Sequence, residues 1–283
     1  MKKIRGFQLD TRRNNTTHYG HLYNHYLTLP YGRKKFRDRT LRVWVPEGFN
    51  IHKEYGVLYM SDGQNAVDEN LTAYGEWNME DHFHNLVKEG YPEFIIVGID
   101  CARNERARIL EYLPGVPNRM MPKDQNNLVN HGYEFTEYLV NEIVPYINQK
   151  FNINQDLVGF CGSSMGGLIS FYVCSKHPEV FKFCISFSPA FFFYTKDVIN
   201  QQMKMRNFNQ DKDSRYAFFI GGADKLEKDL KVNTDHVVKK LKEAGYDKDH
   251  LLYIIDPTRI HHESTWSDFI EEALRFVLKD YKK

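Results

Sequence analysis

The sequence predicts a doubly wound α/β fold, a mostly parallel sheet flanked by helices, formed as one domain over residues 1–283. Three observations lead there. Short continuous apolar runs recur along the chain, as strands buried on both faces of a parallel sheet require. Amphipathic helical patterns sit between them. The segment Gly162-Ser163-Ser164-Met165-Gly166-Gly167 joins one apolar run directly to a helical stretch, with a serine at the turn. At 283 residues the chain is long for an average domain but ordinary for a one-domain α/β protein. It carries no repeat, low-complexity tract or Gly/Ser/Pro-rich linker.

The elements follow in order. Arg39–Val45 alternates and reads as a half-exposed strand. Val57–Met60, Phe94–Ile99, Leu157–Cys161, Phe183–Phe187, Tyr216–Ile220 and Leu251–Ile255 are continuous runs. Helical patterns cover Gly75–Glu89, Tyr133–Lys150, Leu168–Lys176, Leu230–Gly245 and Trp266–Lys279. In the second, Phe135, Leu139 and Ile143 share one face; Gly245 is placed to close the fourth. Asp197–Arg206 is expected to form a short helix acting as a small lid. Leu113–Asn130, with three prolines, is expected to form an irregular pocket wall.

Composition narrows the function. Lys+Arg 38 against Asp+Glu 37 leaves a net charge of +1, and no basic run offers a nucleic-acid footprint. No segment approaches the roughly 18 apolar residues of a membrane span. The basic start Met1-Lys2-Lys3 is not followed by an apolar run of signal-peptide type. Cys101, Cys161, Cys174 and Cys184 show no C-x-x-C spacing, and three lie in core-like stretches. Free thiols and a cytoplasmic location are therefore expected.

The central turn carries the chemistry. Gly162-x-Ser164-x-Gly166 fits G-x-S-x-G, preceded by a strand pattern and followed by a helical one. A strand that turns sharply into a helix forces its central residue into a strained conformation. Small neighbours two residues away on each side make the turn sterically possible. The serine hydroxyl then stands clear of the sheet at the positive end of the next helix, as a nucleophile for acyl transfer.

In a doubly wound sheet the reacting groups gather beyond the carboxyl ends of the strands. There the chain places Ser61-Asp62-Gly63-Gln64-Asn65, then Ser164, then Gly221-Gly222-Ala223-Asp224, then Asp256 to Glu263. Ser164, Asp224 and His261 thus follow in the order Ser…Asp…His of the α/β-hydrolase arrangement. An imidazole must take the serine proton and return it to the leaving group. A carboxylate must fix the imidazole tautomer and stabilise its charged form. Backbone N–H donors must await the oxyanion; Met165 and Gln64 are the candidates, with Gly63 as the alternative to Gln64. Of 12 histidines only His261 and His262 follow the last strand, and His261 is preferred. Asp224 directly follows its strand, while Glu227 and Asp229 lie toward a helix that Asp224 could instead cap. His262-Glu263 lacks the second histidine of H-E-x-x-H, so no metal site and no cofactor are expected. His82 and His84 read as surface residues.

On these residues the chain resembles the "Putative esterase" branch of the α/β-hydrolases, which contains esterase D, enterochelin esterases and bacterial feruloyl esterases. The resemblance runs from about Leu41 to Phe276. It rests on Leu58 to Asn65, Val97 to Asp100, Gly162 to Gly167 and His261 to Trp266. It implies that the catalytic histidine stands five residues before a tryptophan, which selects His261 with Trp266, and that the acid follows a glycine-containing turn, which suits Asp224. Ile260 replaces the glycine that often precedes the histidine, and Asp-Gly-Gln-Asn replaces the His-Gly loop of many lipases.

These readings converge on a serine esterase for a small carboxylic ester, with phenolic and siderophore-type esters among the candidates. Trp77, Phe191 and Phe192 are expected to line the substrate pocket. Acyl transfer to another alcohol would use the same acyl-enzyme, and a non-catalytic binding module is the alternative of a different class. A small-molecule ester is the expected partner, without nucleic acid or membrane; a homo-oligomer is neither required nor excluded.

Overall fold

The computed structural model describes residues 17–67, 72, 74–115, 129–204 and 213–283. Its strands are β1 (Gly20–Thr28), β2 (Asp38–Pro46), β3 (Tyr55–Ser61), β4 (Phe94–Ile99), β5 (Ile153–Ser163), β6 (Phe183–Phe187), β7 (Arg215–Gly221) and β8 (Leu251–Asp256). They form one sheet in the order β1-β2-β4-β3-β5-β6-β7-β8. β2 runs antiparallel to both of its neighbours, and the remaining pairs are parallel.

The parallel strands are continuous apolar runs because both faces are covered. In β3, Val57 and Tyr59 join one core cluster, while Leu58 and Met60 join the other. On the second face lie α1 (Met79–Lys88) and α8 (Glu263–Val277). The first face is covered by α3 (Gly132–Tyr138), α4 (Val144–Lys150), α5 (Met165–Lys176), α6 (Lys196–Lys204) and α7 (Lys225–Glu243). A short helix α2 (Glu105–Glu111) follows β4. The expected strands are all present, lengthened by a few residues at most ends.

Three differences have physical causes. β1 has no clear signature in the sequence because its buried positions include Asn24 and His25 as well as Leu22 and Leu27. Asn24 Oδ1 accepts a hydrogen bond from Arg42, which lets a polar residue face inward. The helix expected over Tyr133–Lys150 is interrupted by a π-turn at Leu139–Ile143. Pro145 lies in the first turn of α4 and has no N–H to continue the ladder. The helix expected from Gly75 begins only at Met79, since Gly75 (φ 120°) and Asn78 (φ 51°) hold left-handed backbone. Gly245 does sit in left-handed backbone (φ 99°), just past the end of α7.

Candidate active site

Ser164 occupies the turn between β5 and α5 with φ 56° and ψ −120°, a strained conformation for a residue with a side chain. The surrounding glycines make it possible. A Cβ on Gly162 would lie 2.1 Å from Ser61 Oγ and 2.7 Å from the Gly166 carbonyl carbon. A Cβ on Gly166 would lie 2.3 Å from the same hydroxyl. The turn is held by the Ser164 N–H to Phe187 O (2.9 Å), and the Ser164 carbonyl accepts from Leu168 and Ala190. Ser164 is only partly buried, at the head of a helix whose first residue is Met165.

His261 lies in the loop between β8 and α8. Its Nδ1 is 2.8 Å from Glu227 Oε1, and its ring meets Trp266 edge to face with centroids 5.0 Å apart. Glu227 is fully buried, and its other oxygen accepts the Gly221 N–H at 2.8 Å. A buried carboxylate is costly unless its lone pairs are engaged, and both Glu227 oxygens are. His262 serves the fold instead, since its Nδ1 accepts the Ser264 N–H and caps α8.

The sequence places the acid at Asp224, but the carboxylate that meets the imidazole is that of Glu227. α7 begins one residue after Asp224, which takes the N-cap position. Asp224 Oδ1 accepts the Glu227 N–H at 2.8 Å, and Oδ2 accepts the backbone N–H of His261 at 2.7 Å. Burial opposes the Asp224 charge, but these amides outweigh it and hold the carboxyl below its ordinary range. Asp224 thus ties the histidine loop to α7 through the backbone. The Asp-x-x-Glu spacing was a usable signal, since Asp at a cap leaves the Glu one turn on to do something else.

The loop after β3 contains a single 3-10 turn, Gly63–Asn65, entered through Asp62 in left-handed backbone (φ 54°). Gln64, Ser163, Ser164, His261 and His262 border one open cleft of about 1630 Å³. Tyr26, Tyr74, Tyr138 and Trp266 supply aromatic surface to the same cleft. Three of the arginines that line it are engaged: Arg42 with Asp100, Arg39 with Glu111 and Arg108 with Asp62, each within 2.7 Å. Burial pushes the Glu111 carboxyl up to about 6 despite Arg39.

The residues expected to line the pocket do not reach it. Trp77 is 2 % exposed and stacks on Phe187, with Trp266 beside it. Phe191 is buried against Phe171 and borders a separate small cavity with Pro114 and Leu168; Phe192 stacks on Phe193. Phe191 enters the core just after Ser188 (φ 44°) reverses the chain past β6, with the Ser188 Oγ accepting from Trp266 Nε1. The helix expected as a lid, α6, borders that same small cavity through Ile199 and Met203 and does not line the cleft. Most of the Leu113–Asn130 wall and the end of the lid segment at Arg206 lie outside the described residues. His82 is not a surface residue: it bridges Glu271 (2.9 Å) and Ser267 (3.0 Å), joining α1 to α8. His84 stacks on Tyr19 at 3.7 Å.

Among the described residues one group, His18, Glu80 and Asp81, has ligand atoms close enough to hold a metal. It does not border the cleft, and Glu80 already accepts the backbone N–H groups of His18 and Tyr19. Among the described residues no helix is long and apolar enough to cross a membrane.

A strained serine and an acid-paired histidine opening on one cleft make a hydrolase arrangement, and the comparisons agree. The family described as "Putative esterase" matches residues 35–249. The chain belongs to this family. It is a carboxylic ester hydrolase, and its eight-stranded sheet has the α/β-hydrolase fold. Similar solved structures include a BES protein from Bacillus cereus (TM-score 0.70, 17% identity, 97% of this chain and 99% of that one). The siderophore hydrolase EstA from Aspergillus nidulans has a TM-score of 0.68 at 13% identity, over 91% of this chain and 94% of that one. A feruloyl esterase module from Clostridium thermocellum, in complex with sinapinate, has a TM-score of 0.67 at 15% identity, over 99% and 95%. At these identities the likeness to this esterase is one of fold.

Proposed function

We propose that the esterase works through Ser164, His261 and Glu227 and an acyl-enzyme. His261 takes the Ser164 proton as the hydroxyl attacks the ester carbonyl, then gives it to the departing alkoxide. Water attacks the acyl-enzyme by the reverse proton path. Glu227, holding Nδ1, leaves Nε2 as the nitrogen that exchanges the proton and stabilises the imidazolium. The N–H groups of Met165 and Gln64 receive the oxyanion; Met165 heads α5, where N–H groups have no partner inside the helix. The observation that carries the reading is the strained Ser164 sharing a cleft with a histidine held by a fully buried carboxylate.

The substrate is an extended ester with an aromatic arm rather than a short aliphatic one. The cleft exceeds the roughly 300–1,000 Å³ of common small-molecule pockets. Its aromatic surface includes Tyr26, Tyr74, Tyr138 and Trp266, and not the phenylalanines after β6. Phenolic and siderophore-type esters suit such a site, and EstA and the feruloyl esterase module support that class by name. The free thiols are compatible with action in the cytoplasm.

Intact-mass analysis after fluorophosphonate treatment is expected to show one adduct, on Ser164, absent from Ser164→Ala. Ser164→Ala and His261→Ala should each lower kcat on the order of a million-fold, and the double variant little further. A His261→Ala variant that keeps near-parent turnover would end the reading. Among hydroxycinnamoyl, catecholate and p-nitrophenyl esters, kcat/KM should favour the bulky aromatic members by at least about tenfold, some 1.4 kcal/mol of transition-state binding.

A further inference from the structure

The segment after β4 takes no part in the proton transfers above, yet it grips the loop that carries the Gln64 amide. Arg108, on α2, donates from Nε and Nη2 to the two carboxylate oxygens of Asp62 at 2.6 and 2.7 Å. Tyr112, just past α2, accepts the Asp62 N–H on its hydroxyl at 3.0 Å. Cys101 donates its N–H to Gln64 Oε1 at 3.2 Å, and Gln64 Nε2 lies 3.4 Å from Cys101 Sγ. Three residues of one short segment thus hold both ends of the Asp62–Gln64 turn.

The turn needs holding. Asp62 keeps φ 54° and ψ 48°, a backbone region that a non-glycine residue occupies only when its surroundings enforce it. Gly63 presses against Gly98, where an added Cβ would lie 2.3 Å from the Gly98 carbonyl carbon. Asp62 also reaches the nucleophile turn, since a Cβ on Gly166 would come within 2.9 Å of Asp62 Oδ2. Asp62 is 6 % exposed, and its carboxylate stands between Arg108 of α2 and Gly166, just after Ser164. A planar guanidinium matched to both carboxylate oxygens fixes its direction as well as its position, which a single ammonium cannot do.

We propose that Arg108 is a positioning residue for the reaction at Ser164: acting through Asp62, it holds the 61–65 turn in the shape that presents the Gln64 amide to the oxyanion. The inference rests on the esterase reading above. A donor displaced by a fraction of an ångström still admits the ester but stabilises the transition state less, so the effect falls on kcat and not on KM.

The test compares parent, Arg108→Ala, Arg108→Lys and Asp62→Asn with one p-nitrophenyl ester, and measures Tm alongside. Arg108→Ala is expected to lower kcat roughly 100-fold with KM within about threefold of the parent. Ethylguanidinium added to Arg108→Ala should recover about tenfold or more of the loss without moving Tm, and Arg108→Lys should fall between the two. Asp62→Asn should match Arg108→Ala, and combining them should add little. If Arg108→Ala does not fold, Arg108→Lys carries the same kcat-against-KM comparison. An active parent whose folded Arg108 variants keep kcat, or lose only KM, overturns this inference alone. A parent with neither turnover nor a Ser164 adduct overturns the esterase mechanism, and this inference falls with it.

Discussion

At the start of α7 two carboxylates three residues apart divide their work by reach. Asp224, with the shorter side chain at the cap, meets backbone amides, those of Glu227 and His261. Glu227, one turn on and pointing inward, reaches the His261 ring. Exchanging charge for amide should separate them. Glu227→Gln is expected to lower kcat by about 10⁴-fold, since an amide can hold the wrong imidazole tautomer. Asp224→Asn should cost no more than about tenfold, as it moves the loop and not the proton. Steady-state kinetics on both variants decides it, and the reverse ranking would return the acid to Asp224. Asp224 also makes a pH prediction. Its folded-state pKa is lowered, so its carboxylate adds stability above the ordinary carboxyl range, and that stability is lost as pH falls through the lowered value. The Tm gap between parent and Asp224→Asn should therefore be present at pH 7 and close in acid.

Among the elements, the strand–turn–helix unit around Ser164 is the most constrained. Gly162 and Gly166 both face Ser61, but they differ in what else is near. A methyl on Gly162 meets backbone atoms of Gly166 at 2.7 Å, which cannot move aside. A methyl on Gly166 meets the Ser61 hydroxyl first, at 2.3 Å. Gly162→Ala and Gly166→Ala should each destabilise by about 1–3 kcal/mol or more. Ser61→Ala should restore part of the loss for Gly166→Ala and none for Gly162→Ala, as urea denaturation would show. Equal rescue of both would contradict this packing account. This unit was legible in the sequence because its glycines are required by local sterics. α2 was not, since Glu105–Glu111 is short and mostly polar, and its inward Arg108 and Glu111 are offset by partners at Asp62 and Arg39, far away in the chain.

At the scale of the molecule, one sheet separates two apolar layers that share every parallel strand. Trp44, Trp77 and Trp266 all lie in the layer with α1 and α8, whereas far-UV circular dichroism reads helices of both layers. If the chain is one cooperative domain, tryptophan fluorescence and circular dichroism will lose signal at the same urea concentration. Separated midpoints would mean that the two layers unfold apart. The sheet also explains why the rings after β6 left the cleft. Phe191 follows a chain reversal at Ser188, and its backbone turns back against α5 and α7, where Asn233 accepts the turn by donating to the Phe191 and Tyr194 carbonyls.

What the sequence determined by itself was everything enforced over a few residues: the alternation of buried strands with helices, the serine turn that only glycines permit, and a histidine beside a helix start. Periodicity and steric exclusion act locally, so they are written in consecutive residues. What only the tertiary structure decided was which distant groups meet: Glu227 in place of Asp224 on the imidazole, tyrosines in place of Phe191 and Trp77 around the cleft, and Arg108 on Asp62. Those choices depend on side-chain reach and on the direction of each strand end, and neither exists until the sheet has brought the loops together.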